Sequence, residues 1–240
     1  RILQFNNNLH LDAKRLPDGI DVMNPFKGEH ATDIADITDR FYHKYYNDNN
    51  PRKLILGINP GRLGAGVTGL PFTDTKRLND DCGIPFTKFS SHEPSSVFVY
   101  EVVKAFGGAE QFYSEFYINS ICPLGFVKVN EAGKWVNFNY YDRKDLQTAV
   151  EPFILKTLKQ QIDLGLETDT VYCMGSGKNV DFLTRFNEKH RLFGHCHDCI
   201  GMAFLALCGN KESFPRVQQY AWMCWYCFWN QDGRTFGRFH

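Results

Sequence analysis

Three short apolar runs, each tied to a polar or glycine-rich segment, constrain this chain more than any other feature. Leu54-Ile55-Leu56-Gly57-Ile58 leads into Asn59-Pro60-Gly61, Phe116-Tyr117-Ile118-Asn119-Ser120-Ile121 carries Asn119 near its end, and Thr170-Val171-Tyr172-Cys173-Met174 leads into Gly175-Ser176-Gly177. Runs this short suit buried strands better than helices. Helical spacing fills the gaps. Thr32 to Tyr46, with Thr32 as N-cap, sets Ile34, Ile37, Phe41 and Tyr45 on one face, and Ser95 to Phe106 turns Val99, Val102, Val103 and Phe106 inward before Gly107. Asp142 to Leu164 carries the stripe Leu146, Val150, Ile154, Leu158 and Ile162, with Pro152 dividing or kinking it, and Asn179 to Lys189 is a further helix. Val127 to Val129 and Trp135 to Tyr141, joined around Gly133, suggest a hairpin.

Strand, loop and helix alternate, which predicts an α/β fold of three α/β/α layers with a mainly parallel central sheet. In such sheets ligands sit beyond the carboxyl ends of the strands, so the three polar segments are expected to converge on one site. The stretch 59–81 reads as a long binding loop.

Composition narrows the class. A hydrophobic share of 43% with 22% charged residues in 240 residues supports one sizeable core and excludes a disordered or fibrous chain. The longest pure apolar run, Met202 to Cys208, is far short of the ~20 residues that span a bilayer, so no membrane partner is expected. The chain opens at Arg1 with no basic-then-apolar leader, and a start further upstream is expected. Lys+Arg of 27 balance Asp+Glu of 27, which argues against a broad basic coat but leaves room for a local basic rim. Of eight cysteines only Cys82, Cys122 and Cys173 precede residue 193, and three of four tryptophans also follow it. That shift divides the chain into a domain over 1–192 and an atypical Cys/Trp-rich segment over 193–240.

Gly64-Ala65-Gly66-Val67-Thr68-Gly69 fits a dinucleotide fingerprint, but it does not join a strand directly to a helix, and Gly175-Ser176-Gly177-Lys178 lacks the first glycine and the final Ser/Thr of a phosphate loop. Neither supports a cofactor; none is expected. The wider stretch Gly57-Ile58-Asn59-Pro60-Gly61, with Thr68-Gly69-Leu70-Pro71-Phe72 placing Phe72 thirteen residues past Asn59, resembles the first motif of the uracil-DNA glycosylase superfamily, closest to its single-strand-selective monofunctional branch. Asn119 with Cys122-Pro123-Leu124 resembles the family's second signature, stretched by one residue.

The residue types suit that chemistry. A base cut from deoxyribose must first be extruded into a tight pocket. Phe72 offers a flat face for a pyrimidine, and Asn119 can match the donor and acceptor edge of uracil. Ile58 and Gly61 would complete the pocket with backbone groups. Asn59 cannot act as a general base, and the resemblance implies that it positions the attacking water. Asp74 is the nearest downstream carboxylate and reads as structural, although it is the obvious candidate if a true base is needed. Lys76, Arg77 and Lys178 are candidates for the basic rim.

The family's His-Pro motif is absent. Gly194-His195-Cys196-His197-Asp198-Cys199 stands near its place, which makes His195 and His197 candidates for the missing catalytic histidine. Cys196-x-x-Cys199 and Cys224-x-x-Cys227 also fit a zinc ribbon, while a divergent or foreign tail and ordinary buried thiols explain the same cysteines. The combined expectation is a monomeric, metal-free DNA glycosylase hydrolysing the N-glycosidic bond of uracil or a related deaminated base, in single- or double-stranded DNA. It would work in a bacterial cytoplasm or a eukaryotic nucleus. The alternative is a silent nucleic-acid-binding relative.

Overall fold

The computed structural model describes residues 1–175 and 177–198. In chain order they form α1 (Ile2–Asn7), β1 (Asp21–Met23), α2 (Ala31–Tyr45), β2 (Lys53–Gly57), α3 (Ala65–Thr68), α4 (Thr75–Asp80), α5 (Pro94–Phe106) and α6 (Ala109–Glu115). There follow β3 (Phe116–Ser120), β4 (Gly125–Val129), β5 (Trp135–Phe138), α7 (Lys144–Ile162), β6 (Thr170–Cys173), α8 (Lys178–His190) and β7 (His195–Asp198).

The main sheet has the order β3-β2-β6-β7, and every neighbouring pair is parallel. Helices sandwich it in the three-layer α/β/α arrangement. Strand β2 lies inside the sheet, and Leu54, Ile55 and Leu56 are fully buried. That burial on both faces explains why the strand is apolar without alternation. From β2 the chain crosses one way to β3 and later returns on the other side to β6, so the sheet carries a topological switch beside β2. A second sheet, β1-β4-β5, is antiparallel and includes the hairpin around Gly133.

Helix bounds shift where caps differ from expectation. The α2 helix starts at Ala31 after His30, which provides no side-chain cap, so Thr32 lies within the first turn. Helix α7 starts at Lys144, and Asp142 instead accepts the Asn139 N–H at 2.8 Å. Pro152 sits inside α7 without ending it, and Leu146, Val150, Ile154 and Leu158 are fully buried. The stretch 59–81 is not structureless. It folds into α3 and α4, the second capped by Asp74, whose carboxylate accepts the Arg77 N–H at 2.9 Å. Finally, His195–Asp198 joins the main sheet beside β6, a strand hidden in the sequence because its residues are polar.

Candidate active site

The hydrogen-bond ladder of the main sheet continues past the strand ends. Ile121 N–H reaches Gly57 O at 2.9 Å, Cys122 N–H reaches Ile58 O at 3.1 Å, and Met174 N–H reaches Leu56 O at 2.7 Å. The first two bonds pin the Ile58–Asn59 segment against the turn after β3. Beyond them lies a cavity of about 40 Å³ whose walls include Ile58, Asn59, Gly61, Phe72, Glu93 and Ser120. Ser95, Asn137 and Asn139 line it as well.

Asn59 is half-buried and its amide is oriented from three sides. Oδ1 accepts the Tyr140 N–H at 3.2 Å, while Nδ2 donates to Phe138 O at 3.3 Å and Pro60 O at 3.4 Å. Carbonyl partners fix which end is nitrogen, and one lone pair of Oδ1 remains available to a water.

Phe72 is buried, and its backbone has φ 54°. A non-glycine residue in the left-handed region is strained, and such strain persists only where the surroundings impose it. The restraint is visible. Thr73 Oγ1 lies 2.9 Å from Tyr100 Oη, itself 3.0 Å from Tyr113 Oη. The Phe72 ring covers Gly57, where an added Cβ would lie 2.6 Å from Phe72 Cζ.

Asn119 and Ser120 part company. Successive strand residues point to opposite faces, so only one of them can join Phe72. Ser120 does. Asn119 lines a neighbouring hollow with Tyr42, Pro25, Pro71 and Pro123, donating to Tyr117 Oη at 2.8 Å and accepting the Ser120 N–H at 2.8 Å. Burial drives the Tyr117 hydroxyl well above its ordinary pKa, against a smaller opposing effect of the Asn119 hydrogen bond.

Asp74 is fully buried and lies outside the cavity lining. Besides capping α4 it accepts the Glu93 N–H at 3.0 Å and the Ser96 hydroxyl at 2.7 Å, and it stands 3.5 Å from Arg77 and 3.5 Å from His92. It is a clamp between the starts of α4 and α5. Glu93, in the N-cap position of α5, does reach the cavity. Burial pushes its carboxyl up to about 7, with a Ser95 hydrogen bond pulling it down and the Asp74 charge pushing it further up.

The cationic candidates separate in the same way. Lys76 and Lys178 are exposed, the latter with Nζ 5.9 Å from the Tyr141 ring. Arg77 folds onto Asp74 with its side chain 13% exposed, so it is committed to an internal ion pair. His195 and His197 lie exposed on one face of β7, their rings 6.3 Å apart, with His197 6.2 Å from the Tyr172 ring. Neither histidine lines the cavity.

Among the described residues no group of three or more His, Cys, Asp or Glu could hold a metal, and Cys82, Cys122 and Cys196 carry free thiols. Cys199, Cys224 and Cys227 lie outside the described residues. Glu93, Ser120, Asn137 and Asn139 escaped the sequence reading. Only the period-two spacing of Asn137 and Asn139 hinted at a shared face, whereas Glu93 before Pro94 reads as an ordinary helix start.

A family model described as the uracil DNA glycosylase superfamily matches residues 43–212. The chain belongs to the uracil-DNA glycosylase superfamily. The crystal structure of wild-type SMUG2 from Pedobacter heparinus is similar at a TM-score of 0.80 with 47% sequence identity, over 92% of this chain and 94% of that one. Comparison with curated proteins finds no match. As a member of the superfamily the chain is a DNA glycosylase, a hydrolase of N-glycosyl bonds that acts on damaged-base DNA. The family match includes both cavity-forming loops and runs through β7. No helix among the described residues is long and apolar enough to cross a membrane.

Proposed function

We propose that the glycosylase removes uracil or a related deaminated base by hydrolysis, with Asn59 holding the water that attacks C1′ and Phe72 stacking the extruded base. The observation that carries this reading is the pairing of a fixed amide and an aromatic face in one cavity at the ends of β2 and β3. The Oδ1 lone pair not used by Tyr140 accepts a water hydrogen and aims its oxygen. Ser120 meets the edge of the base, and Asn119 acts through it by holding its N–H. Asn137 Oδ1 already accepts the Arg62 N–H at 2.9 Å, which leaves its amide nitrogen as a donor to the departing base.

Ile58 and Gly61 shape the wall nearest Asn59, and Lys76 and Lys178 supply the exposed rim for phosphates. The enzyme works without metal, as a monomer, where chromosomal DNA lies: the cytoplasm of a bacterium or the nucleus of a eukaryote. The sequence becomes atypical after residue 192, where the Cys/Trp-rich segment begins.

Single-turnover assays on single-stranded oligonucleotides carrying one uracil, hypoxanthine or xanthine test this. Alkali-labile abasic product is expected from the wild type and a loss of about 10²–10⁴-fold from Asn59→Ala. Absence of product from folded wild-type protein on every substrate would overturn the reading in favour of a silent binding protein.

A further inference from the structure

Hydrolysis poses a problem that Asn59 cannot solve. As the C1′–N bond breaks, its electron pair leaves with the base, the water oxygen bonds C1′, and the water must lose a proton. An amide does not take up that proton near neutral pH. Asp74 lies outside the cavity lining and is engaged by Arg77 N–H, Glu93 N–H, Ser96 Oγ, the Arg77 guanidinium and His92. Among the described residues that line the cavity, Glu93 alone has an acidic or basic side chain.

Three features aim Glu93 at this task. Its Oε2 is buried with no hydrogen-bond partner among the described residues. Its carboxyl group packs against the bare α-carbon of Gly64, where an added Cβ would fall 2.3 Å from Oε2, so a side chain at Gly64 would displace it. Its main chain is fixed on both sides, by the bond from Glu93 N–H to Asp74 and by Ser96 N–H, which donates to Glu93 O at 3.0 Å.

We propose that Glu93 is the proton acceptor for the attacking water: as the water held by Asn59 bonds C1′, its proton passes to the Glu93 carboxylate and the base departs with the bonding electrons. The inference rests on the glycosylase reading above. It assigns the base to a residue at the start of α5, in place of Asp74.

The surroundings suit a base working near neutrality. Burial holds the carboxyl near 7, and the Asp74 carboxylate raises it. Arg77 and His92 both face Asp74 at 3.5 Å, the guanidinium offsetting that charge, while Ser95 lowers the value. The wall formed by Ile58, Asn59, Pro60, Gly61, Asn137 and Asn139 contributes no charge.

Single-turnover excision by wild type, Glu93→Gln and Glu93→Asp, measured between pH 5 and 9 on the three oligonucleotides above, tests the assignment. The wild-type rate should rise with pH to a plateau, with its midpoint near 7. Glu93→Gln should lose about 10²–10⁴-fold and the inflection, Glu93→Asp should recover part of both, and binding to an abasic-site oligonucleotide should persist. A Glu93→Gln enzyme with the wild-type rate and midpoint overturns the proposal. So does one that merely melts earlier and raises KM while keeping the midpoint. If the wild type excises none of the bases, the glycosylase reading itself fails; if it is active and Glu93→Gln equals it, only the assignment of Glu93 fails.

Discussion

The ring of Phe72 lies directly on the α-carbon of Gly57, close enough that a methyl group there would stand 2.6 Å from Cζ. Gly57 ends β2 and Phe72 closes the loop that follows, so one contact sets the depth of the cavity floor. Gly57→Ala is expected to displace the ring, to destabilise the fold by about 1–3 kcal/mol as an overpacked core does, and to raise KM more than it lowers kcat. Thermal melts with steady-state excision kinetics check this. An unchanged KM would show that the ring position is immaterial to base binding.

Glu93 should leave a mark on stability as well as on rate. Its carboxyl ionises near 7 in the folded chain and near the ordinary ~4.3 when unfolded. Because the folded value is raised, the contribution to stability is fully present below about pH 4.3. It is lost as pH rises through 7, by on the order of 3 kcal/mol. Glu93→Gln cannot ionise, so it should equal or exceed the wild type in denaturant midpoint at pH 8 and lose this part of the pH dependence. A wild type whose stability is flat between pH 5 and 8 would contradict the buried, raised carboxyl.

Asp74 acts on stability through its hydrogen bonds. Its two oxygens serve Arg77 N–H, Glu93 N–H and Ser96 Oγ, and Arg77 leans on them. Asp74→Ala strands buried donors at two helix starts and should cost about 3–5 kcal/mol. Asp74→Asn keeps one acceptor oxygen and should cost less. Excision by Asp74→Asn, assayed where it is folded, should fall because Glu93 loses its anchor.

The cationic residues divide into rim and interior. Lys76→Ala and Lys178→Ala should weaken oligonucleotide binding and reduce the slope of log K against log salt by about one each, leaving melting temperature unchanged. Arg77→Ala should lower melting temperature with little change in the salt slope, since its guanidinium is 3.5 Å from Asp74. Salt titrations beside thermal melts distinguish the two behaviours.

What was legible in the sequence followed periodicity. β2 and β3 stood out because both of their faces are buried, β6 because a short apolar run sets Val171 and Cys173 into the core, and α5 because Gly107 adopts φ 118° directly after it. The β7 strand was concealed because His-Cys-His-Asp has no apolar alternation and is placed by its pairing with β6. The Asn59 and Phe72 loop was readable through its resemblance to the superfamily's first motif, since both residues belong to one continuous stretch. Ser120 was not, because choosing it over Asn119 depends on which face of β3 meets the cavity, a property of register. Glu93 was hidden for a related reason: its partners, Gly64 and Asp74, come from loops distant in sequence.

The extension of the sheet's ladder past its strand ends has a dynamic consequence. Gly57 and Ile58 carbonyls are tied to the turn after β3, so the asparagine loop cannot breathe without breaking main-chain bonds of the sheet itself. Amide protons of Ile121, Cys122 and Met174 should therefore exchange with solvent as slowly as those of β2, in global rather than local openings. The candidate pocket should then open together with the central sheet and not ahead of it. The motion needed for excision falls to the nucleotide, which must swing out of its stack into a receptacle already rigid.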